Sequence, residues 1–463
     1  MSRSRGESGK GGVTDVVPTL RDAESGPAPA VPHFPALVEF RTEHPLRAPV
    51  RHLLERGHDG LVVDSVVIGR GPAEPARRWL LIDDPRMSRQ HVALTPSGES
   101  WRIEDLGSLN GSLINGERLQ RAILFPGDVV EVGRTLLVYS EAPPSSALGD
   151  GLATYSAAYA AQLVSLEAIT ATSLSVLLLG ETGTGKEVLA REIHRLSGRS
   201  GPYTAVNCGA LTESLVASEL FGYRKGAFSG AGEDREGLVR ASSGGTLFLD
   251  EVADLPPSGQ AALLRVLQER EVLAVGGTRP VKVDLRVVAA THRDLDGLVA
   301  AGAFRADLHA RLAGFTLRLP PLRRRREDLG LLIATLLARL GSAAARVRLS
   351  MKAARALFFA EWPRNVRELE QALTSAVALA RGELIELEHL PESLRAPPRH
   401  AAPAPGATAR KIAGDEQLRD ILTTLLGEHR GNLAEVARAM NKAPTQIRRW
   451  LRRLGLDADS FRS

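Results

Sequence analysis

Ser175-Val176-Leu177-Leu178-Leu179-Gly180-Glu181-Thr182-Gly183-Thr184-Gly185-Lys186-Glu187 is a short apolar run that breaks into a glycine-punctuated loop, after which Val188-Leu189-Ala190 begins a helical pattern. A strand that ends in glycines and opens a helix is the context of a phosphate-binding loop. The glycines let successive backbone N–H groups point into one concavity, and Lys186 supplies a cation for the phosphates. Such loops usually follow the lysine with Ser or Thr, whose hydroxyl binds magnesium. Here Glu187 stands in that place.

Downstream, Thr246-Leu247-Phe248-Leu249 ends in Asp250-Glu251. A carboxylate at a strand end beside a phosphate loop can hold magnesium, and a second can polarise an attacking water. Asp250 is therefore assigned to magnesium and Glu251 to catalysis, with ATP and Mg as the cofactors. Leu285-Arg286-Val287-Val288-Ala289-Ala290 is a third buried-type run. Apolar runs alternating with long helical patterns predict an α/β domain with a parallel sheet over about 151–395.

Outward from this centre the texture changes twice. Between 36 and 141 short β-like runs (Val66-Val67-Ile68, Leu80-Leu81-Ile82, Val129 to Val132, Leu136 to Tyr139) alternate with the turn signals Asn110-Gly111, Asn115-Gly116 and Pro126-Gly127. That spacing predicts an all-β sandwich. Residues 1–35 read as a disordered tail. Residues 142–150 and the Pro/Ala-rich 396–412 read as linkers, and 413–463 as a small all-α domain. There, a helix around Asn432 to Met440, a turn at Asn441-Lys442-Ala443-Pro444 and a helix from Thr445 have helix-turn-helix spacing.

Composition sets the bounds. A chain of 463 residues accommodates roughly three domains at about 150 residues each. The single cysteine, Cys208, excludes an internal disulfide or a thiolate zinc cluster and fits a reducing cytoplasm. The N-terminus lacks the apolar core of a signal peptide, and no run is long enough to span a membrane. Net charge is only +5, yet residues 410–463 carry 11 basic and 7 acidic side chains, with four arginines between 448 and 453. The surplus thus sits on the segment with the helix-turn-helix pattern.

Several of these motifs carry a family resemblance. Residues 151–395 resemble the AAA+ domain of sigma-54-dependent transcriptional activators, in which the phosphate loop commonly ends Gly-Lys-Glu. Gly226-Ala227-Phe228-Ser229-Gly230-Ala231 is similar to that family's GAFTGA loop, with Ser229 in place of Thr. The resemblance implies that this loop touches sigma-54 in the RNA polymerase holoenzyme. It also implies that Asn207 couples nucleotide state to Glu251, that Thr291 and His292 lie in the sensor I segment, and that Arg367 is the sensor II contact. Arg305 and Arg311 match the arginine fingers, which would act on a neighbouring subunit's nucleotide and so imply a homo-oligomer, typically a hexamer. Gly180, Glu181, Thr182, Gly183, Thr184, Gly185, Lys186 and Glu187 would line the ATP.

The C-terminal segment resembles the Fis-type domain of the same activators. Thr445, Gln446 and Arg449 would then face enhancer bases, and Arg448, Arg452 and Arg453 the phosphates. Ile68-Gly69-Arg70, Ser88-Arg89-Gln90-His91 and Asp105 to Gly111 resemble a forkhead-associated (FHA) domain. The resemblance implies phosphothreonine recognition: Arg70 and Arg89 supply charge, Ser88 and Ser108 hydroxyls, and Asn110 a grip on the peptide backbone. The partner would be a Ser/Thr kinase or its substrate. Two other classes fit parts of the pattern, a DNA-binding scaffold with an idle ATPase and an AAA+ remodeller of other proteins. The carboxylate pair with its arginines opposes the first, and the GAFSGA loop with the DNA reader opposes the second. An FHA domain that binds its own ATPase domain and restrains assembly is also open.

Overall fold

The structure is a computed structural model and describes residues 34–54, 65–71, 78–97, 100–142, 152–210, 213–229 and 231–395, with isolated positions beyond. The expected tail (save Phe34 and Pro35), both linkers (save Ala142) and the helix-turn-helix residues Thr445, Gln446, Arg448, Arg449, Arg452 and Arg453 lie outside the described residues, as does Gly230.

The first part is a β-sandwich. One sheet has six strands in the order Val50–Leu53, Ala36–Arg41, Thr135–Ser140, Val129–Val132, Ser112–Ile114, Glu117–Arg118. The other has five: Arg78–Leu81, Val66–Gly69, Val92–Ser97, Ser100–Asp105, Arg121–Ile123. Leu37, Ile68, Val92, Leu94, Trp101, Ile103, Val130, Leu137 and Tyr139 fill the space between the sheets. The Asn115-Gly116 turn joins Ser112–Ile114 to Glu117–Arg118 with both residues at positive φ (50° and 83°), as a tight hairpin turn requires.

The second part is a five-stranded parallel sheet in the order Tyr203–Asn207, Thr246–Asp250, Arg286–Thr291, Val176–Leu179, Phe315–Arg318. The three central strands are short, largely apolar and buried, as a sheet with both faces covered demands, while the edge strands Tyr203–Asn207 and Phe315–Arg318 are partly exposed. A helical lid follows, built on Leu329–Arg339, Met351–Phe359 and Asn365–Leu379.

Sandwich and lid share one core, which the sequence reading did not foresee. Successive residues of Thr135–Ser140 face opposite ways. Leu137 and Tyr139 point into the sandwich, whereas Leu136 and Val138 join Val38, Phe40 and Val129 in packing on Leu329, Ile333, Leu357 and Phe358 of the lid. The rings of Phe40 and Phe358 lie 5.2 Å apart. At the edge of this contact Arg355 donates to both oxygens of the buried Glu131 carboxylate (2.6–3.2 Å), and Leu349 N donates to Thr42 O at 2.8 Å.

The joint between lid and parallel sheet is a charged run, Arg325-Arg326-Glu327-Asp328, each residue no more than 6% exposed. Arg325 donates to Thr184 O (2.9 Å), and the Arg326 guanidinium lies over the Phe359 ring. Asp328 accepts from Thr154 Oγ1 (2.8 Å) and Tyr155 N (2.6 Å). Burial, reinforced by the charge of Asp328, pushes the Glu327 carboxyl up to about 8. A carboxyl with a raised folded pKa keeps its proton in the native state, so its contribution to stability is complete below the unfolded value and is lost as pH rises through the folded one. Glu327→Gln, which cannot ionise, should therefore match wild type near pH 4 and become increasingly more stable than it between about pH 5 and pH 8. Urea unfolding midpoints at pH 4, 6 and 9 measure this, and a constant gap across the three would contradict it.

Candidate functional site

The phosphate loop sits at the C-terminal end of Val176–Leu179, between that strand and the helix Lys186–Leu196. Gly183 (φ 78°) and Gly185 (φ 104°) adopt left-handed backbone. At Gly183 a Cβ would also lie 2.1 Å from Arg364 O, so only glycine fits. Lys186 is buried, and its Nζ donates to Gly180 O (2.8 Å) and Glu181 O (3.3 Å). Burial lowers its pKa while the charges of Glu251 and Asp250 oppose that shift. A desolvated ammonium beneath a nest of glycine amides suits a phosphate chain.

The parallel register sets Asn207 beside Asp250 on the neighbouring strand. Asp250 is half-buried, and its carboxyl is pushed up by desolvation and then by the adjacent Glu251 charge. A bound divalent cation would relieve both penalties, so the residues fit magnesium. No group of three or more acidic, His or Cys side chains among the described residues would hold a metal unaided. Glu251 has left-handed backbone (φ 52°), a strained state for a non-glycine residue that tends to mark functional sites. Three donors converge on one of its oxygens: His292 Nδ1 at 2.8 Å, with Thr291 Oγ1 and His292 N at 3.4 Å.

The other expected site residues fall as follows. Asn207 Oδ1 accepts from Gly209 N and Ala210 N and caps the turn Cys208–Ala210. Glu187 pairs with Arg191 on the exposed face of its helix. Arg305 precedes the helix Ala306–Leu312 and forms a fork with Asp307 (3.0 and 2.8 Å), while Arg311 is exposed on that helix. Arg367 lies on Asn365–Leu379 with its Cβ against Gly183, and its charge is felt by Lys186. Burial drives the Cys208 thiol up to about 12, which rules it out as a nucleophile at neutral pH.

Ala227 packs against Gly276, and Ala231 N donates to Phe228 O, closing a tight loop at the tip of the GAFSGA segment. Phe228 is 45% exposed, with its ring edge-on to Tyr223 at 4.9 Å.

Two sets of contacts escaped the sequence reading. Leu152, Tyr159, Val188, Leu331 and Val366, with Arg325, Asp328 and Arg339, line a cleft beside Thr184 and Gly185. Such residues look like ordinary core in a sequence. The loop is also bound to the lid: Arg323 forks onto the Glu181 carboxylate (2.8 and 2.6 Å), and Asn365 Nδ2 donates to Glu181 Oε2 (3.1 Å) and Thr182 O (3.0 Å).

In the sandwich, Arg70, Ser88, Arg89 and Asn110 gather in adjoining loops. Arg70 N donates to Ser88 O and Gly71 N to Arg89 O. A Cβ at Gly69 would lie 1.9 Å from Arg89 O, so the two loops can meet only through glycine. Ser88 Oγ accepts from Leu109 N (3.1 Å), and Asn110 Nδ2 donates to Arg86 O (2.7 Å). Ser108 donates to Asp105 and braces the loop from within. His91 is neutral: burial lowers its pKa, its Nδ1 accepts from Ser88 N (2.9 Å) and its Nε2 reaches Gly111 O. Arg70 and Arg89 remain exposed.

Known proteins agree with this division. Residues 152–318 match the family model of the Sigma-54 interaction domain, 323–406 that of an AAA+ ATPase lid domain and 66–133 that of the FHA domain. The Nif-specific regulatory protein of Herbaspirillum seropedicae is 50% identical over 46% of this chain and 40% of its own. The transcriptional regulatory protein ZraR of Escherichia coli (strain K12) is 40% identical over 67% of this chain and 70% of its own. NtrX from Brucella abortus in complex with ATP superposes with a TM-score of 0.50 at 30% identity, covering 66% of this chain and 70% of that one. Several curated relatives are matched over only 40–64% of their own length. No helix among the described residues is long and apolar enough to cross a membrane. With a sigma-54-type AAA+ ATPase core, its lid and an FHA sandwich ahead of them, the chain belongs to the sigma-54-dependent transcriptional regulators.

Proposed function

We propose that this protein is an enhancer-binding ATPase that remodels the sigma-54 RNA polymerase holoenzyme to the open complex under the control of a phosphothreonine signal. The observation that carries the reading is the convergence, at one end of the parallel sheet, of the glycine loop with Lys186, the Asp250-Glu251 pair and the Thr291-His292 strand end. Lys186 and the loop amides hold the phosphates. Asp250 would hold magnesium, which when bound would neutralise charge on the phosphates. Glu251 takes the proton of the attacking water, with one oxygen anchored by His292. Arg305 leaves Asp307 and, with Arg311, enters the neighbouring subunit's site to stabilise charge developing on the γ-phosphate, so the working form is a ring, taken to be a hexamer.

The half-exposed Phe228 makes Gly226 to Ala231 the sigma-54 contact, and hydrolysis moves that loop. The helix-turn-helix around Thr445 to Arg453 tethers the ring to enhancer DNA in the cytoplasm. Arg70, Ser88, Arg89 and Asn110 bind a phosphothreonine peptide of a Ser/Thr kinase or its substrate, Arg70 and Arg89 being exposed cations beside a free-facing loop.

Three outcomes test this. Glu251→Gln should reduce ATP turnover at least 100-fold while ATP binding stays within threefold, read by phosphate release and equilibrium titration. Phe228→Ala should keep ATPase activity yet form no open complexes with sigma-54 holoenzyme, as read by promoter footprinting; normal open-complex yield would remove the loop assignment. Arg89→Ala should abolish binding to a phosphothreonine peptide library that wild type retains, with the unphosphorylated library bound by neither.

A further inference from the structure

We propose that Arg323 is the counter-ion that lets Glu181 sit in a phosphate-binding loop, and that Asn365 fixes this pair, making both positioning residues for the nucleotide's phosphates. The inference rests on the reading that ATP binds at this loop.

Glu181 poses an electrostatic problem. It is the second residue of a loop whose glycine amides and Lys186 are arranged for an anion, and a free carboxylate there would repel the triphosphate. Both of its oxygens are occupied. Arg323 Nη1 donates to Oε2 at 2.8 Å and Nη2 to Oε1 at 2.6 Å, the two parallel bonds that a guanidinium fork makes with a carboxylate. Asn365 Nδ2 adds a third donor on Oε2 at 3.1 Å. These contacts, Arg323 first, hold the Glu181 carboxyl at about 2. The carboxylate therefore carries its charge at physiological pH, and Arg323 pairs with it.

Asn365 is built into place. It is fully buried with left-handed backbone (φ 53°), and its side chain meets three residues in two segments: Glu181 Oε2, Thr182 O at 3.0 Å, and Leu322 N, which donates to its Oδ1 at 2.7 Å. Asn is among the few non-glycine residues that tolerate this backbone. An aspartate would keep the shape and set a second carboxylate against the first.

The neighbouring bonds extend the clamp. Val366 N donates to Gly183 O at 2.9 Å, and Arg325 to Thr184 O at 2.9 Å. Four successive loop residues, 181 to 184, are thus held by the lid and the strand-to-lid turn. Within the run Arg323-Arg324-Arg325-Arg326, residues that look equivalent in sequence have separate tasks, and only Arg323 forks onto Glu181.

The test is equilibrium binding of a fluorescent ATP analogue to the full-length chain, with thermal unfolding of each variant as the check on folding. Arg323→Gln should weaken binding tenfold or more, and raising the salt concentration should narrow its deficit relative to wild type as the exposed carboxylate is screened. Glu181→Gln alone should lose less affinity than Arg323→Gln. The double variant should recover to the affinity of Glu181→Gln, because removing the carboxylate removes the need for its counter-ion. Asn365→Asp should weaken binding as Arg323→Gln does. If Arg323→Gln does not fold, Arg323→Lys, which keeps the charge but loses the fork, should show a threefold to tenfold loss that Glu181→Gln reverses. Wild-type affinity in Arg323→Gln, or a double variant no better than Arg323→Gln, overturns the proposal. Wild-type protein that does not bind the analogue overturns the nucleotide reading itself, and the proposal with it.

Discussion

Everything in this chain turns on four consecutive ionisable side chains removed from water. Arg325, Arg326, Glu327 and Asp328 are each almost fully buried, and an unpaired ion in such a place costs several kcal/mol. Their compensation comes from separate parts of the molecule. Arg325 answers to the phosphate loop through Thr184 O, and Asp328 to the entry of the ATPase domain through Thr154 and Tyr155. Arg326 lies over Phe359 of the lid, and Glu327 faces Gly127 of the FHA sandwich. Arg325 and Asp328 find their hydrogen-bond partners only where loop and ATPase entry meet the run, and Glu327 Oε2 is buried without one. The run therefore ties the phosphate loop and the entry of the ATPase domain to the lid through directional contacts.

The apolar contact between sandwich and lid reinforces that constraint. A sheet in an antiparallel sandwich ordinarily turns one face to water. Here the second face, with Val38, Phe40, Val129, Leu136 and Val138, is the outer wall of the lid's own core. Separating the two would expose both surfaces and strand the buried Glu131 carboxylate away from Arg355. The FHA sandwich thus travels with the lid. The strand Ser112–Ile114 begins two residues beyond Asn110 and pairs directly with Val130 to Val132, the segment that includes Glu131. One continuous stretch of hydrogen-bonded backbone therefore runs from the Asn110 loop to the ion pair that grips the lid.

How much of this was legible depended on whether a residue's task is written in its neighbours along the chain. The glycine loop, the strand ending in Asp250-Glu251 and the Gly69–Asn110 motif are local patterns, and they led to the α/β core and the sandwich. The shared core left a weaker trace. Thr135–Ser140 and most of Ala36–Arg41 are buried without alternation, the mark of a strand covered on both faces, but the covering partner lies more than 180 residues away. Arg325 to Asp328 had no trace at all, because a run of charges reads as solvated surface until its distant partners are known. Glu181 was assigned to the nucleotide from its place in the loop, and its carboxylate is instead turned to Arg323 and Asn365.

The catalytic end shows why that distinction matters. Five ionisable groups crowd the strand ends: Glu181, Lys186, Asp250, Glu251 and His292. A site with three carboxylates would repel a polyphosphate if all three faced it. Glu181 is neutralised by the Arg323 fork, and one oxygen of Glu251 is held by His292. Asp250 has only the weaker compensation of Glu251 N at 3.1 Å and the charge of Lys186, so its carboxyl is pushed up rather than down. Environment thus sorts three chemically similar side chains into one paired with a guanidinium, one anchored through a single oxygen and one whose charge is poorly compensated, a place that a divalent cation would fit.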